Sequence, residues 1–261
     1  MQKERNYYLI ELQFLGFRYS GWQKQPGQKT IESMLLKTLK FILPERKFKI
    51  LGAGRTDAKV SALQAAFELF LEDLPLDDLM EFKDLFNKNL PPDIRIISIS
   101  NVVKDFNIIQ NSKEKEYVYL FSFGQKNHPF SAPFIANIQD DLDLELMTKA
   151  AHLFVGDHDF RNYTTRHQDN TNYNRSIKSC EIQENTILKA DFFPEKSYAL
   201  HIVSEGFMRY QVRMVMGALI SLGKGELSLN DIKRTLKPET EFLLSYVAPG
   251  SGLLLNRLDF H

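Results

Sequence analysis

The stretch Gly52-Ala53-Gly54-Arg55-Thr56-Asp57-Ala58 sets a guanidinium and a carboxylate close together on a glycine-flanked turn. Glycine lets a backbone turn tightly or come close to another group. An apolar, β-prone run (Phe48, Ile50, Leu51) leads in, and a second, Ala62 to Phe70, leads out. A loop held between two buried strands is where a rigid scaffold can present a reactive side chain, here the Asp57 carboxylate. The plain alternative is turn chemistry: Asp57 bonds nearby backbone N–H groups and Arg55 is a surface charge. A Walker-type phosphate loop is set aside, because the Gly-Lys-Ser/Thr ending is absent.

The elements that would position this loop follow from pattern. Tyr8 to Phe14 reads as a strand. Gly16 to Gly27 is a loop whose Tyr19 and Trp22 could stack on bases, although a lone Trp more often anchors a core. Thr30 caps a helix with Ile31, Leu35, Leu39 and Ile42 on one face, ending before Pro44. Lys47 to Leu51 and Ala62 to Phe70 are strands, Asp77 to Lys88 is an amphipathic helix, and Ile94 to Val103 is a strand. The order is β-α-β-β-α-β, a split βαβ pattern.

The second half begins with a strand through Tyr117 to Phe123 and a long polar loop, Gly124 to Gln139. A helix through Leu144 to Phe154 follows, then a hairpin of Ile177 to Ile182 with Ile187 to Phe193, and a strand from Tyr198 to Val203. Phe207 to Leu222 reads as a helix closed by Gly223. It is apolar nearly all round, which implies burial. Arg213 on that helix then needs a partner, unless it reaches solvent. The expected fold is α+β: two related split-βαβ (ferredoxin- or RNP-like) halves, 1–105 and 106–261, sharing a mostly antiparallel central sheet. His152, His158, Asp157 and Asp159 suggest capping and turn chemistry on a loop rather than a metal site.

With 261 residues, 43% of them hydrophobic and 25% charged, the chain is long enough for two ordinary globular domains. Cys180 is the only cysteine, so neither an intrachain disulfide nor a cysteine metal cage is possible, which fits a reducing cytosol. Met1 to Arg5 runs into a strand-like segment rather than a signal-peptide core, and no apolar run reaches membrane-spanning length. The formal net charge is zero, yet from Arg18 to Lys59 ten Lys and Arg stand against three acids, and from Glu68 to Asp93 eight acids stand against two lysines. Segregation of this kind can give a neutral protein a basic face. Scattered solubilising lysines are the alternative.

Gly-Arg-Thr-Asp-Ala followed by Val60 and an apolar strand closely resembles the signature of the tRNA pseudouridine synthase A (TruA) family. Further matches run in the family's order: Gly16, Tyr19 and Gly21-Trp22-Gln23-Lys24-Gln25; Asn89-Leu90-Pro91-Pro92-Asp93-Ile94; Tyr117-Val118-Tyr119; Gly156 with His158-Asp159-Phe160; Phe207 with Val212-Arg213 and Gly217; and Gly252-Leu253. The resemblance covers essentially the whole chain.

What it implies is isomerisation of uridine to pseudouridine in tRNA, with no cofactor and no metal, in a cytoplasmic homodimer. By the resemblance, Asp57 is the nucleophile, attacking either the base or the anomeric carbon. Arg213 pairs with it, and Tyr117 stacks on the base and helps remove the C5 proton. Arg55 contacts phosphate or fills the space of the flipped base. Lys59, Arg18 and Lys24 join it as RNA-contacting candidates, and Leu253 and Leu254 wall the pocket. The anticodon stem-loop is the substrate region expected of the family.

Some positions depart from the family pattern. The family's Asp-Ala-Gly-Val-His-Ala is here Asp57-Ala58-Lys59-Val60-Ser61-Ala62, its Ala-Arg-Phe-Ser run is Ile108-Ile109-Gln110-Asn111, and Glu116 stands where an arginine often precedes the tyrosine. The catalytic trio is kept while the RNA-contacting periphery differs. Two other readings remain at this point: a noncatalytic RNA-binding protein on the same scaffold, and a protein-interaction module that has lost RNA binding.

Overall fold

Alternating burial starts the chain. In a computed structural model describing residues 5–165, 171–238, 242 and 244–260, β1 (Arg5–Phe14) buries Tyr8, Ile10, Leu12 and Phe14. Met1 to Glu4, read above as lacking a signal-peptide core, lie outside the described residues. Helix α1 (Ile31–Ile42) begins in a reciprocal cap: Thr30 accepts from the Ser33 N–H, and the Ser33 hydroxyl accepts from the Thr30 N–H. A cap of this kind contributes about 1 kcal/mol. β2 (Phe48–Gly52), β3 (Ser61–Glu72), α2 (Leu79–Asn89) and β4 (Ile94–Asn101) complete the β-α-β-β-α-β order that the sequence predicts. Asp78 caps α2 by accepting from the Met80 and Glu81 N–H groups.

The second half holds β5 (Glu114–Phe123), β6 (Ala136–Ile138), α3 (Leu144–Ala151), β7 (Gly156–Asp159), β8 (Asn174–Glu184), β9 (Tyr198–Ser204), α4 (Gln211–Gly223), α5 (Leu229–Thr235) and β10 (Leu253–Asp259). The chain forms two compact units: Met1–Lys113 with Leu255–His261, and Glu114–Leu254. The sequence reading divides it at 105/106 and keeps the C-terminus in the second half. In the first unit the strands run β4-β1-β3-β10, with β2 also on β3, and β1 is antiparallel to both β3 and β4. In the second they run β5-β9-β8-β7, all antiparallel, with β6 parallel to β5. The fold is α+β with mostly antiparallel pairing.

Four local expectations are corrected. The partner of β8 is β9, not Ile187 to Phe193. Asn185 explains this: its Oδ1 accepts from the Ile187 and Leu188 N–H groups, and its Nδ2 donates to Leu188 O and Ser197 Oγ. That side-chain turn takes the backbone groups a hairpin would need. Asp157, His158 and Asp159 lie in strand β7 rather than on a loop, with His158 opposite Arg175. α4 starts at Gln211 rather than Phe207, because Tyr210 has φ of 65°, which no right-handed helix accommodates. The helix through Phe154 is α-helical only to Ala151, with a tighter turn from His152 to Phe154. Among the described residues no helix is long and apolar enough to cross a membrane.

Candidate active site

Asp57 sits, partly buried, on the loop between β2 and β3. The loop's backbone is held from outside. The Trp22 N–H donates to Thr56 O at 3.0 Å, and the Lys59 N–H donates to Tyr19 O at 3.0 Å. Within the loop the Val60 N–H donates to Asp57 O at 3.2 Å. One residue C-terminal to Val60, Ser61 Oγ accepts the Gly16 N–H at 2.9 Å. Gly21 is required here: its φ is 95°, and a Cβ on it would lie 2.5 Å from Thr56 O. The segment containing Gly16, Tyr19, Gly21 and Trp22 is therefore a brace for the Asp57 loop. Trp22 is a core anchor, 4% exposed and packed against Phe14.

The brace is itself tied down at Asp93, after α2. The Tyr19 hydroxyl donates to Asp93 Oδ1 at 2.7 Å, and Arg18 donates Nε and Nη2 to Oδ2 at 2.9 and 2.7 Å. Burial pushes the Asp93 carboxyl up, but the Tyr19 and Arg18 hydrogen bonds outweigh it and hold the pKa below its ordinary value. Burial, with the Asp93 contact, raises the Tyr19 hydroxyl.

The other first-unit candidates have varied surroundings. Arg55 is exposed beside Asp57. Lys59 is exposed with φ of 67°, its ammonium 5.6 Å from the Phe17 ring centroid. The family's glycine at this position is thus explained by the backbone, which is left-handed here. Lys24 is exposed, and its backbone N–H donates to Glu32 Oε2 at 2.6 Å. Arg18 is engaged with Asp93, although its side chain stays 58% exposed. The basic stretch is thus partly tied into local structure rather than wholly presented outward.

In the second unit Tyr117 on β5 packs edge-on against Phe207, ring centroids 5.3 Å apart. Arg213, in the first turn of α4, is held through both backbone and side chain. The Ala248 N–H donates to Arg213 O at 3.1 Å, and Arg213 Nε donates to Ala248 O at 2.7 Å. The Tyr210 ring centroid lies 5.1 Å from the Arg213 guanidinium carbon. The segment carrying Ala248 can approach α4 because of Gly217, where a Cβ would sit 2.1 Å from Tyr246 O. Tyr119, two residues beyond Tyr117, is fully buried and donates to Pro249 O at 2.8 Å. Burial raises its hydroxyl pKa well above the ordinary value, and the charge of Arg213 opposes that rise. Leu253 and Leu254, at the start of β10, are buried at 5% and 3% exposure.

Pattern reading did not give Tyr210, Tyr246 or Ala248 a role. The glycine at 217 is the one letter that could have pointed to the close approach of the 246–249 segment. Among the described residues no cluster of His, Cys, Asp or Glu is arranged to hold a metal ion. His158 instead contacts Val155 O through Nε2 at 3.0 Å, and Asp159 accepts from the Arg161 N–H. Cys180 is buried, and burial raises its thiol pKa.

A family model described as tRNA pseudouridine synthase matches residues 150–261. The chain is 32% identical over 252 residues to a tRNA pseudouridine synthase A of Dictyoglomus thermophilum, covering 96% of this chain and 98% of that one. It is 33% identical over 260 residues to one of Thermodesulfovibrio yellowstonii, with coverage of 96% and 98%. For a third, from a Hydrogenobaculum species, identity is 31% over 259 residues, covering 97% and 99%. Identity of this level over nearly the full length of both chains shows that the protein belongs to the tRNA pseudouridine synthase A family.

Proposed function

We propose that this protein isomerises uridine to pseudouridine in the anticodon stem-loop of tRNA, with Asp57 as nucleophile. The observation that carries this reading is the presence of Asp57, Tyr117 and Arg213 at the family's motif positions in a chain alike along its whole length. The reaction breaks the N1–C1′ bond, turns the base and forms C5–C1′, with a proton leaving C5 and one arriving at N1. Nothing is oxidised or reduced. A carboxylate nucleophile divides the change into two covalent steps. Arg213 is the cationic partner that keeps the carboxylate ionised and aimed, and Tyr117 stacks on the base and assists loss of the C5 proton. Arg55, Lys59, Lys24 and Arg18 contact the RNA, and Leu253 and Leu254 wall the base pocket. The working enzyme is a cytoplasmic homodimer.

Support for Asp57 comes from how its loop is built. Two backbone hydrogen bonds from the 16–27 segment fix it before any substrate arrives, the kind of preorganisation a nucleophile needs. The experiment is to map pseudouridine in RNA from cells with and without this protein. Loss confined to anticodon stem-loop positions is expected. An unchanged map, with bulk tRNA still bound on filters, would leave the noncatalytic RNA-binding reading instead.

A further inference from the structure

Tyr210 adopts a backbone conformation that tyrosine resists. It precedes α4 with φ of 65° and ψ of −3°. Non-glycine residues stay in that region only where their surroundings over-determine it. Here three hydrogen bonds do so. The fully buried Gln211 accepts the Met208 N–H through Oε1 at 2.8 Å, the Gln211 N–H donates to Met208 O at 3.2 Å, and Thr164 Oγ1 donates to Arg209 O at 3.1 Å.

The same turn lays the Tyr210 ring against guanidinium groups. The ring centroid is 5.1 Å from that of Arg213 and 4.9 Å from that of Arg209, whose Nη2 also donates to the Tyr210 hydroxyl at 3.3 Å. An arginine on a flexible stem has many rotamers. Ala248 O accepts from Arg213 Nε, and a bond at that one atom does not by itself set the tilt of the guanidinium plane. An aromatic ring beside the plane restricts that tilt.

We propose that Tyr210 is a positioning residue. Its ring, with Ala248 O, holds the Arg213 guanidinium in one orientation, and its left-handed backbone is what brings the ring there. This rests on the reading of Arg213 as the partner of the reacting carboxylate. The plain alternative is that Tyr210 only stops α4 at its N-terminal end. Glycine separates the two, because it accepts a φ of 65° without strain but brings no ring.

The test uses the full chain, unmodified tRNA transcript, and steady-state kinetics beside thermal melting. Tyr210→Phe keeps the ring and should keep kcat within about twofold. Tyr210→Gly should melt no lower than the parent, yet lose about tenfold in kcat with KM within roughly a factor of two, as for an interaction used in the reaction rather than in binding. Should the glycine variant fold poorly, Tyr210→Leu against Tyr210→Phe gives the same contrast at equal backbone strain. Parental kcat in the ringless variants, or a loss confined to KM, overturns the proposal. Arg213→Ala is measured in parallel. If it turns over normally, the reading of Arg213 itself falls. If it is inactive while Tyr210→Gly is fully active, only the role of Tyr210 falls.

Discussion

The Asp57 loop and the Arg213 turn solve the same problem by different means. Each presents one charged side chain, and each has a non-glycine residue in left-handed conformation close by: Lys59 at φ 67° and Tyr210 at φ 65°. The Asp57 loop is held through its backbone, by Trp22 and Tyr19, and the side chain of Lys59 takes no part in that bracing. At the Arg213 turn the hydrogen bond from Nε and the ring of Tyr210 meet the Arg213 side chain itself. A nucleophile needs its loop fixed. A guanidinium at the end of a long stem needs its own plane fixed as well.

The largest stability effect that sharpens this contrast is expected at Gly217. Glycine to alanine inside a helix is normally stabilising. Here the new Cβ would lie 2.1 Å from Tyr246 O. Gly217→Ala should therefore cost about 2–3 kcal/mol by overpacking. It should also lower kcat by moving Ala248 away from Arg213. Urea denaturation beside kinetics reads both, and an alanine variant as stable as the parent would show that the 246–249 segment does not brace α4.

A smaller effect is expected at Asp93, which ties down the brace of the other region. Asp93→Asn should lose about 1–2 kcal/mol at neutral pH, through weaker bonds from Tyr19 and the exposed Arg18. The Asp93 pKa is lowered in the fold, so its contribution is present above the ordinary carboxylate range and disappears as pH falls through the folded value. The difference between parent and variant, measured by denaturation across pH, should shrink below about pH 4. A difference that is constant with pH would remove the charge-assisted account.

The smallest is at Lys59. Lys59→Gly should gain about 1 kcal/mol by relieving the left-handed strain. If Lys59 meets phosphate, the slope of tRNA affinity against salt should also drop by about one contact. The two left-handed residues thus differ in what glycine costs them. At Lys59 it should weaken binding, whereas at Tyr210 it should slow turnover.

Much of this was open to reading from the chain. The alternation in β1, the capped α1 and the apolar runs flanking Gly52–Ala58 placed the Asp57 loop correctly between two strands. The all-round apolar α4 gave burial around Arg213. What could not be read depends on non-local partners. Glu68 counts among the eight acids of the 68–93 stretch, and nothing in that count shows that it is fully buried on β3, opposite Leu9 and Leu51. Burial raises its pKa, against a single 3.4 Å bond from the Ile108 N–H. The segment 187–193 has strand-like letters, but the Asn185 side chain turns it away from β8. The placement of β10 beside β3 follows from tertiary pairing that no local pattern encodes, and for the close approach of the 246–249 segment to α4 the only letter that hints at it is Gly217.

The claim on which the account turns is that Asp57 supplies the attacking carboxylate, and the release of the C5 hydrogen tests it most directly. Forming the C5–C1′ bond expels that hydrogen to water, so tRNA carrying tritium at uridine C5 reports each turnover. Asp57→Asn keeps the size and the backbone bonds of the loop but cannot form the covalent intermediate. The account predicts a variant that melts and binds tRNA like the parent and releases no tritium above background. Tritium release at near-parental rate from a folded, tRNA-binding Asp57→Asn protein would contradict it.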